Sequence, residues 1–282
     1  MPTEFYHIIE NEHRSEPIVL RPQSLNHKVV IRNVMIDGAG DAAIDIQYPS
    51  AGSWLWPTVK MDMVDIRGDW HTLVRLRNAW NTRIYDVMAT GLITEETVSN
   101  PKCEVGFDLG GSMCSHVVNS FVTSAKVGIL AVDAEGIRVL GGEYMHVNQG
   151  IFLVGQRQTR GRWGTPHAVI RDTHINALGH CILAISTDGM HIVDNDLYQH
   201  HMSPWYYGVY LIDCEDSKIA SRYWSNHAEK RGGAIVLDNC RRSLIDGNNC
   251  DPHLGIGVIQ QNKTKDTVWG SNSWNGVLHV NP

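Results

Sequence analysis

A short phrase recurs along the chain, a small residue followed by an apolar run: AAIDI at 42–46, LVRL at 73–76, GFDL at 106–109 and GILAV at 128–132. It continues as GIFLV at 150–154, CILAI at 181–185, GVYLI at 208–212, GAIVL at 233–237, GIGVI at 255–259 and GVLHV at 276–280. From Gly106 the steps are 22, 22, 31, 27, 25, 22 and 21 residues. A second phrase precedes the first: IRNVMIDG at 31–38, MDMVDIRG at 61–68 and IYDVMATG at 84–91. Weaker copies are VVNSFVT at 117–123, VIRDTHI at 169–175, IVDNDLY at 192–198, SLIDGNN at 243–249 and VWGSNSW at 268–274. β-Branched or aromatic residues at alternate positions, then Gly, Asn or Asp, are strand-and-turn chemistry. Helical repeats would need 3.6-residue spacing, and a propeller blade needs roughly 40 residues.

Two strands in each of about ten short repeats predict an all-β solenoid, a single-stranded parallel β-helix of about ten rungs. Over residues 25–282 the chain resembles the right-handed, pectate-lyase-like β-helix proteins. The right-handed rule for parallel crossovers gives the same hand. Residues 1–24 are expected as an N-terminal cap or particle-anchoring segment, with Phe5, Ile8 and Ile9 at helical spacing. Asn195, Asn248 and Asn272 fall at comparable turns, where Asn tolerates left-handed backbone and can bond along a ladder. Cys214 and Cys240 should stack in adjacent rungs, as a thiol ladder or within disulfide reach. The six cysteines show no zinc spacing and are expected to be mostly reduced.

Alternation predicts outward residues. Asp45, Arg75 and Asp108 are polar there, but Leu130, Phe152, Leu183, Tyr210 and Val236 are apolar. Such a column implies strands buried on both faces. A homotrimer interface would cover it, as would a long loop of the same chain.

Four places lengthen the repeat: 48–57, 92–103, 156–166 and 199–207. Insertions on a solenoid are where function concentrates. Arg157, Arg160, Arg162 and Trp163 lie in the third, and His200, His201, Trp205 and Tyr206 in the fourth. Guanidinium forks and aromatic faces suit a sugar ring bearing acid groups. We therefore expect Arg157, Arg160, Arg162, Trp163, Trp205 and Tyr206 to bind substrate. His146, His180, His200, His227 and His253 each come shortly before a strand-opening small residue, which predicts a histidine column beside Asn176, Asn226 and Asp251. The alternative is ordinary polar turn positions. His200 and His227 are the candidate proton-transfer groups.

Asp251-Pro252-His253 is similar to the DPH core of the mannuronan C5-epimerases, β-helices acting on acidic polysaccharide. The resemblance implies site roles for Asp251 and His253. It departs at Asn248-Asn249-Cys250, where that family has aromatic-Gly-aromatic, and at Leu254, where it has Asp. Carboxylate pairs for hydrolysis are available at Asp213 and Asp238, at Glu215 and Asp216, and at Asp194 and Asp196 on either side of Asn195. Pectate-lyase and polygalacturonase signatures are missing, as are metal-ligand spacings, so no metal or other cofactor is expected.

Composition narrows the partners. Charged residues are 19% and the net charge is −6, which argues against a helical solvated protein and a nucleic-acid binder. No apolar run reaches the ~20 residues of a membrane-spanning helix. The 16 Arg against 8 Lys fit an acidic ligand. The N-terminus lacks a basic segment followed by an apolar one, so no signal peptide is read.

These features define three readings. The first is a phage-type virion spike that binds, and in its enzymatic form depolymerises, a bacterial surface polysaccharide. Other virion proteins would hold its N-terminus. The second is a free polysaccharide lyase or C5-epimerase, secreted with its signal peptide absent from this sequence. The third is a non-enzymatic structural or decoration β-helix of a virion. Any enzyme activity is expected to be that of a lyase or glycoside hydrolase.

Overall fold

The computed structural model describes residues 5–24, 26–49, 58–97, 100–155, 168–199, 207–225, 233–251, 256–274 and 277–280. Strand pairing among them is parallel throughout and links every strand into one solenoid. No helix occurs among the described residues. Each rung contributes to three stacked ladders, called here the first, second and third sheets.

The first sheet carries the recurrent apolar phrase. Its ladder runs Val19–Asp45–Arg75–Asp108–Leu130–Phe152–Leu183–Tyr210–Val236–Ile259–Leu278. Eleven strands joined by ten pairings are close to the ten rungs expected. The neighbouring inward ladder is Ile44–Val74–Phe107–Ile129–Ile151–Ile182–Val209–Ile235–Val258, fully buried. Parallel strands in register place like on like, so one apolar column builds a dry stack. Burying each such side chain is worth roughly 1.5–3 kcal/mol.

The second sheet buries Ile31, Met61, Ile84, Val117, Val139, Ile170, Ile192, Ile219 and Ile245 in the same way. The third buries Ile36, Ile66, Ala89, Val122, Tyr144, Ile175, Leu197 and Tyr223. Both sheets contain rungs the sequence pattern did not reveal, in 138–147 and 218–225.

A left-handed corner joins the second sheet to the third. Asn11, Asn33, Met63, Asp86, Asn119, Gly141, Asp172 and Asp194 all have φ between 47° and 69°, one per rung over eight rungs. Asn, Asp and Gly dominate because they adopt this conformation at least cost.

Several expectations are corrected. Phe5–Arg14 is not helical. It is a strand, with Ile9 paired to Ile31, and Ile18–Leu20 pairs with Ile44–Ile46. Residues 5–20 thus extend the solenoid by one rung. The asparagine trio is not left-handed. Asp194 and Gly247 turn the chain, while Asn195 and Asn248 point inward, almost fully buried. Their bonding along a ladder is present. Asn195 Nδ2 donates to Ser221 Oγ at 3.3 Å, the Ser221 N–H to Asn248 Oδ1 at 2.9 Å, and Asn248 Nδ2 to Asn272 Oδ1 at 2.9 Å. Cys214 and Cys240 are buried free thiols, the reduced alternative, and their Sγ atoms donate to Ile212 O at 3.2 Å and Asp238 O at 3.4 Å.

The outward column Leu130–Phe152–Leu183–Tyr210–Val236 is a true ladder, but not an open stripe. The first four residues are half-buried and Val236 is 1% exposed within the single chain. Burial removes Val236 from the expected interface. A parallel column, Val132–Val154–Ile185–Ile212, is half-buried beside it.

Candidate functional site

Two residues after the left-handed corners at Asp86, Asn119, Gly141, Asp172 and Asp194, a side chain emerges from the third sheet. Register stacks these, with Arg222 of the next rung, as Met88–Phe121–Glu143–His174–Asp196–Arg222. Their inward neighbours Val122, Tyr144, Ile175, Leu197 and Tyr223 anchor the strands in the core. The corner residues Asn119, Asp172 and Asp194 form the opposite wall. Between them lies an open groove of about 550 Å³, lined also by Thr173 and Gly142.

The floor is rigid. Asn195 Oδ1 accepts from the Thr173 N–H at 3.1 Å and from Thr173 Oγ1 at 2.8 Å, and its Nδ2 donates to Ile170 O at 3.1 Å. The N–H groups of Glu143, His174 and Asp196 donate to Ser120 O, Gly142 O and Thr173 O at 3.1, 3.0 and 2.9 Å. A satisfied buried network of this kind fixes the side chains above it.

The groove's charges are loosely held. Arg171 Nε lies 3.1 Å from Asp172 and 3.5 Å from Asp194, all three well exposed. Arg222 Nε lies 3.1 Å from Asp196 Oδ1. That contact is off the line of a hydrogen bond, and the buried Oδ1 accepts none. Exposed pairs of this sort contribute about 0–1 kcal/mol, so a ligand can displace them. An aromatic ring at one end, with acceptors and a guanidinium beyond it, can stack a sugar ring and receive its hydroxyls.

The other carboxylates named from sequence are occupied. Asn239 donates to Asp213, Asn262 to Asp238, and Gln261 Nε2 to Asp238 at 2.8 Å. Arg242 binds Glu215 at 2.5 Å and Asp216 at 2.7 Å, and holds Asp216 below the usual carboxylate range. These groups tie rung to rung.

Of the ten residues expected to form a site, only Asp251 lies among the described residues. It is half-buried, and its N–H donates to Tyr223 O at 2.9 Å. His200, His227, His253, Arg157, Arg160, Arg162, Trp163, Trp205 and Tyr206 lie outside them. In the chain, the segments holding His200, Trp205, Tyr206, His227 and His253 follow the third-sheet strands ending at Gln199, Ser225 and Cys250. Those strands begin at, or next in register to, the groove.

The histidine column does not form between His146 and His180. The Gly150 N–H donates to His180 O, so His180 sits opposite the opening of the first-sheet strand. His146 is four residues earlier, at a left-handed bulge. His180 stacks on Tyr207 with centroids 5.6 Å apart and meets Tyr210 edge-on at 5.3 Å. Its Nδ1 accepts from the Tyr207 N–H at 3.0 Å.

Burial pushes His180 down to about 4. The folded state then binds this proton less readily than the unfolded chain, whose imidazole titrates near 6.5. Stability from the neutral ring is complete above pH 6.5 and is lost as the pH falls toward 4. Between pH 7.5 and 4.5 we expect a loss on the order of 2 kcal/mol that His180→Gln lacks. Urea unfolding at the two pH values reads it. Equal losses in both proteins would assign the acid sensitivity elsewhere.

No protein-family model matches the chain. No curated protein matches it either. Solved structures do. The mannuronan C-5 epimerase AlgE6 A-module of Azotobacter vinelandii aligns with TM-score 0.57 at 9% identity, over 100% of this chain and 89% of that one. The chain is a parallel β-helix. PfbA, a surface adhesin of Streptococcus pneumoniae, aligns with TM-score 0.50 at 10% identity, over 94% of this chain and 70% of that one. At such identities the shared property is the β-helix itself, and the site must speak for the function.

Proposed function

We propose that this β-helix binds a polysaccharide along the third-sheet groove, with a sugar ring on Phe121 and hydroxyls donated to Glu143 and Asp196. The observation that carries this reading is the unsatisfied Asp196 Oδ1 beside Arg222, on a floor pinned by Asn195, in a groove with an aromatic end. The candidate residues His200, His227, Asp251 and His253, with Trp205 and Tyr206, lie on or just after the ends of the same strands. They extend the proposed site, and any lyase or hydrolase chemistry is assigned to them. Arg157, Arg160, Arg162 and Trp163 precede the strand that leads to Asp172 and are proposed as further contacts.

The setting we propose is a surface spike, on a virion in the phage-type reading. Copies associate, as a homotrimer, through Leu130, Phe152, Leu183 and Tyr210 with the adjoining Val132–Ile212 column. Two half-buried apolar columns side by side support this face. Phe152→Glu is expected to give monomers or aggregates in light scattering on a sizing column, and an unchanged oligomer would remove this interface. A wild-type monomer would favour the free-enzyme reading instead.

Glycan retention on the wild type, lost in Asp196→Ala, tests the groove. If chemistry accompanies binding, His200→Ala or His227→Ala should spare a glycan that the wild type depolymerises. Full activity in both variants would return these histidines to turn positions.

A further inference from the structure

The groove carries a sign. Glu143, Asp172, Asp194 and Asp196 line it against one lining cation, Arg222. Arg171 stands behind Asp172 and Asp194. Four carboxylates and two guanidiniums leave a formal charge of −2. Both guanidiniums already face aspartates. The next outward positions at either end, Met88 and Asn249, are uncharged.

Ionised carboxylates only accept hydrogen bonds. Sugar hydroxyls can donate to them, whereas a uronate brings further acceptors and further negative charge. Screening at physiological salt sets in only over roughly 8 Å, so carboxylates lining one groove act on a bound chain together.

We infer that the groove selects an uncharged, hydroxyl-rich glycan and excludes polyuronates. This rests on the groove being the glycan site, and it reverses the acidic ligand expected from the arginine-rich composition.

The test uses the full chain with neutral gluco-, manno-, galacto- and xylo-oligosaccharides and with oligomannuronate and oligogalacturonate, by titration calorimetry in 20 and 500 mM NaCl. At least one neutral chain should bind at least about tenfold more tightly than either uronate at 20 mM, with the gap narrowing at 500 mM. The Asp172→Asn/Asp194→Asn variant should gain uronate affinity at least about fivefold. Uronate binding equal to or tighter than neutral binding, and lost in Phe121→Ala, would overturn the charge selection while leaving the groove as the site. Binding untouched by Phe121→Ala, or absent for every probe, would overturn the groove reading and this inference with it.

Discussion

Gly68→Ala should cost more than about 3 kcal/mol and lower the melting temperature by roughly 10 °C. Gly68 lies at φ 120°, a conformation closed to side-chain-bearing residues, and an added Cβ would sit 1.9 Å from the Gly38 carbonyl oxygen. That oxygen is backbone and cannot swing away. Gly38, Gly68 and Gly91 stack in register where the third sheet ends. Trp70 lies against Gly38, buried, its Nε1 donating to Arg67 O at 2.8 Å. A shift at Gly68 therefore spreads to two neighbouring rungs. Gly247 is the control. Its φ is 73°, and the nearest atom to an added Cβ is Ala220 Cβ at 3.8 Å. Asn and Asp already occupy left-handed corners in other rungs. Gly247→Asn should stay within about 1 kcal/mol. Thermal melts of both variants by circular dichroism check the contrast, and equal melting temperatures would refute the glycine column as a packing constraint.

Phe121→Ala should weaken glycan binding about ten- to a hundredfold. Covering a phenylalanine ring is worth roughly 1.5–3 kcal/mol, and about 1.4 kcal/mol is tenfold in affinity. Phe121 is half-buried in the groove wall while Val122 beside it fills the core. Truncation should therefore spare the fold. Unchanged affinity would mean that no sugar ring rests there. A melting temperature reduced as much as in Gly68→Ala would mean that Phe121 is structural.

The first sheet was legible because a small residue and an alternating apolar strand mark each rung, and every phrase from 42–46 to 276–280 falls on its ladder. The first rung was not. Phe5, Ile8 and Ile9 mimic helical spacing, and as an edge strand it leaves Ile8 58% exposed, so alternation was weak. Rungs at 138–147 and 218–225 hid because Gly141-Gly142 and Ser221-Arg222 interrupt the apolar pattern around Val139, Tyr144, Ile219 and Tyr223. His146 and His180 fall out of step because the third-sheet-to-first-sheet connection varies in length, while His200, His227 and His253 lie outside the described residues.

Within the groove, Asp194 and Asp196 could be read locally. Phe121, Glu143, His174 and Arg222 could not, because 22 to 31 residues separate successive members and only register joins them. A signal existed. Phe121, Glu143, His174 and Asp196 each follow a left-handed Asn, Gly or Asp by two residues, so aligning the corners aligns the groove.

We propose that the third-sheet groove holds the glycan. A crystal structure with the tightest-binding oligosaccharide tests it most directly. A sugar ring is expected on Phe121, with a hydroxyl within about 3 Å of Asp196 Oδ1. A chain bound along the first-sheet face, over Phe152 and Tyr210, with the groove empty, would contradict it.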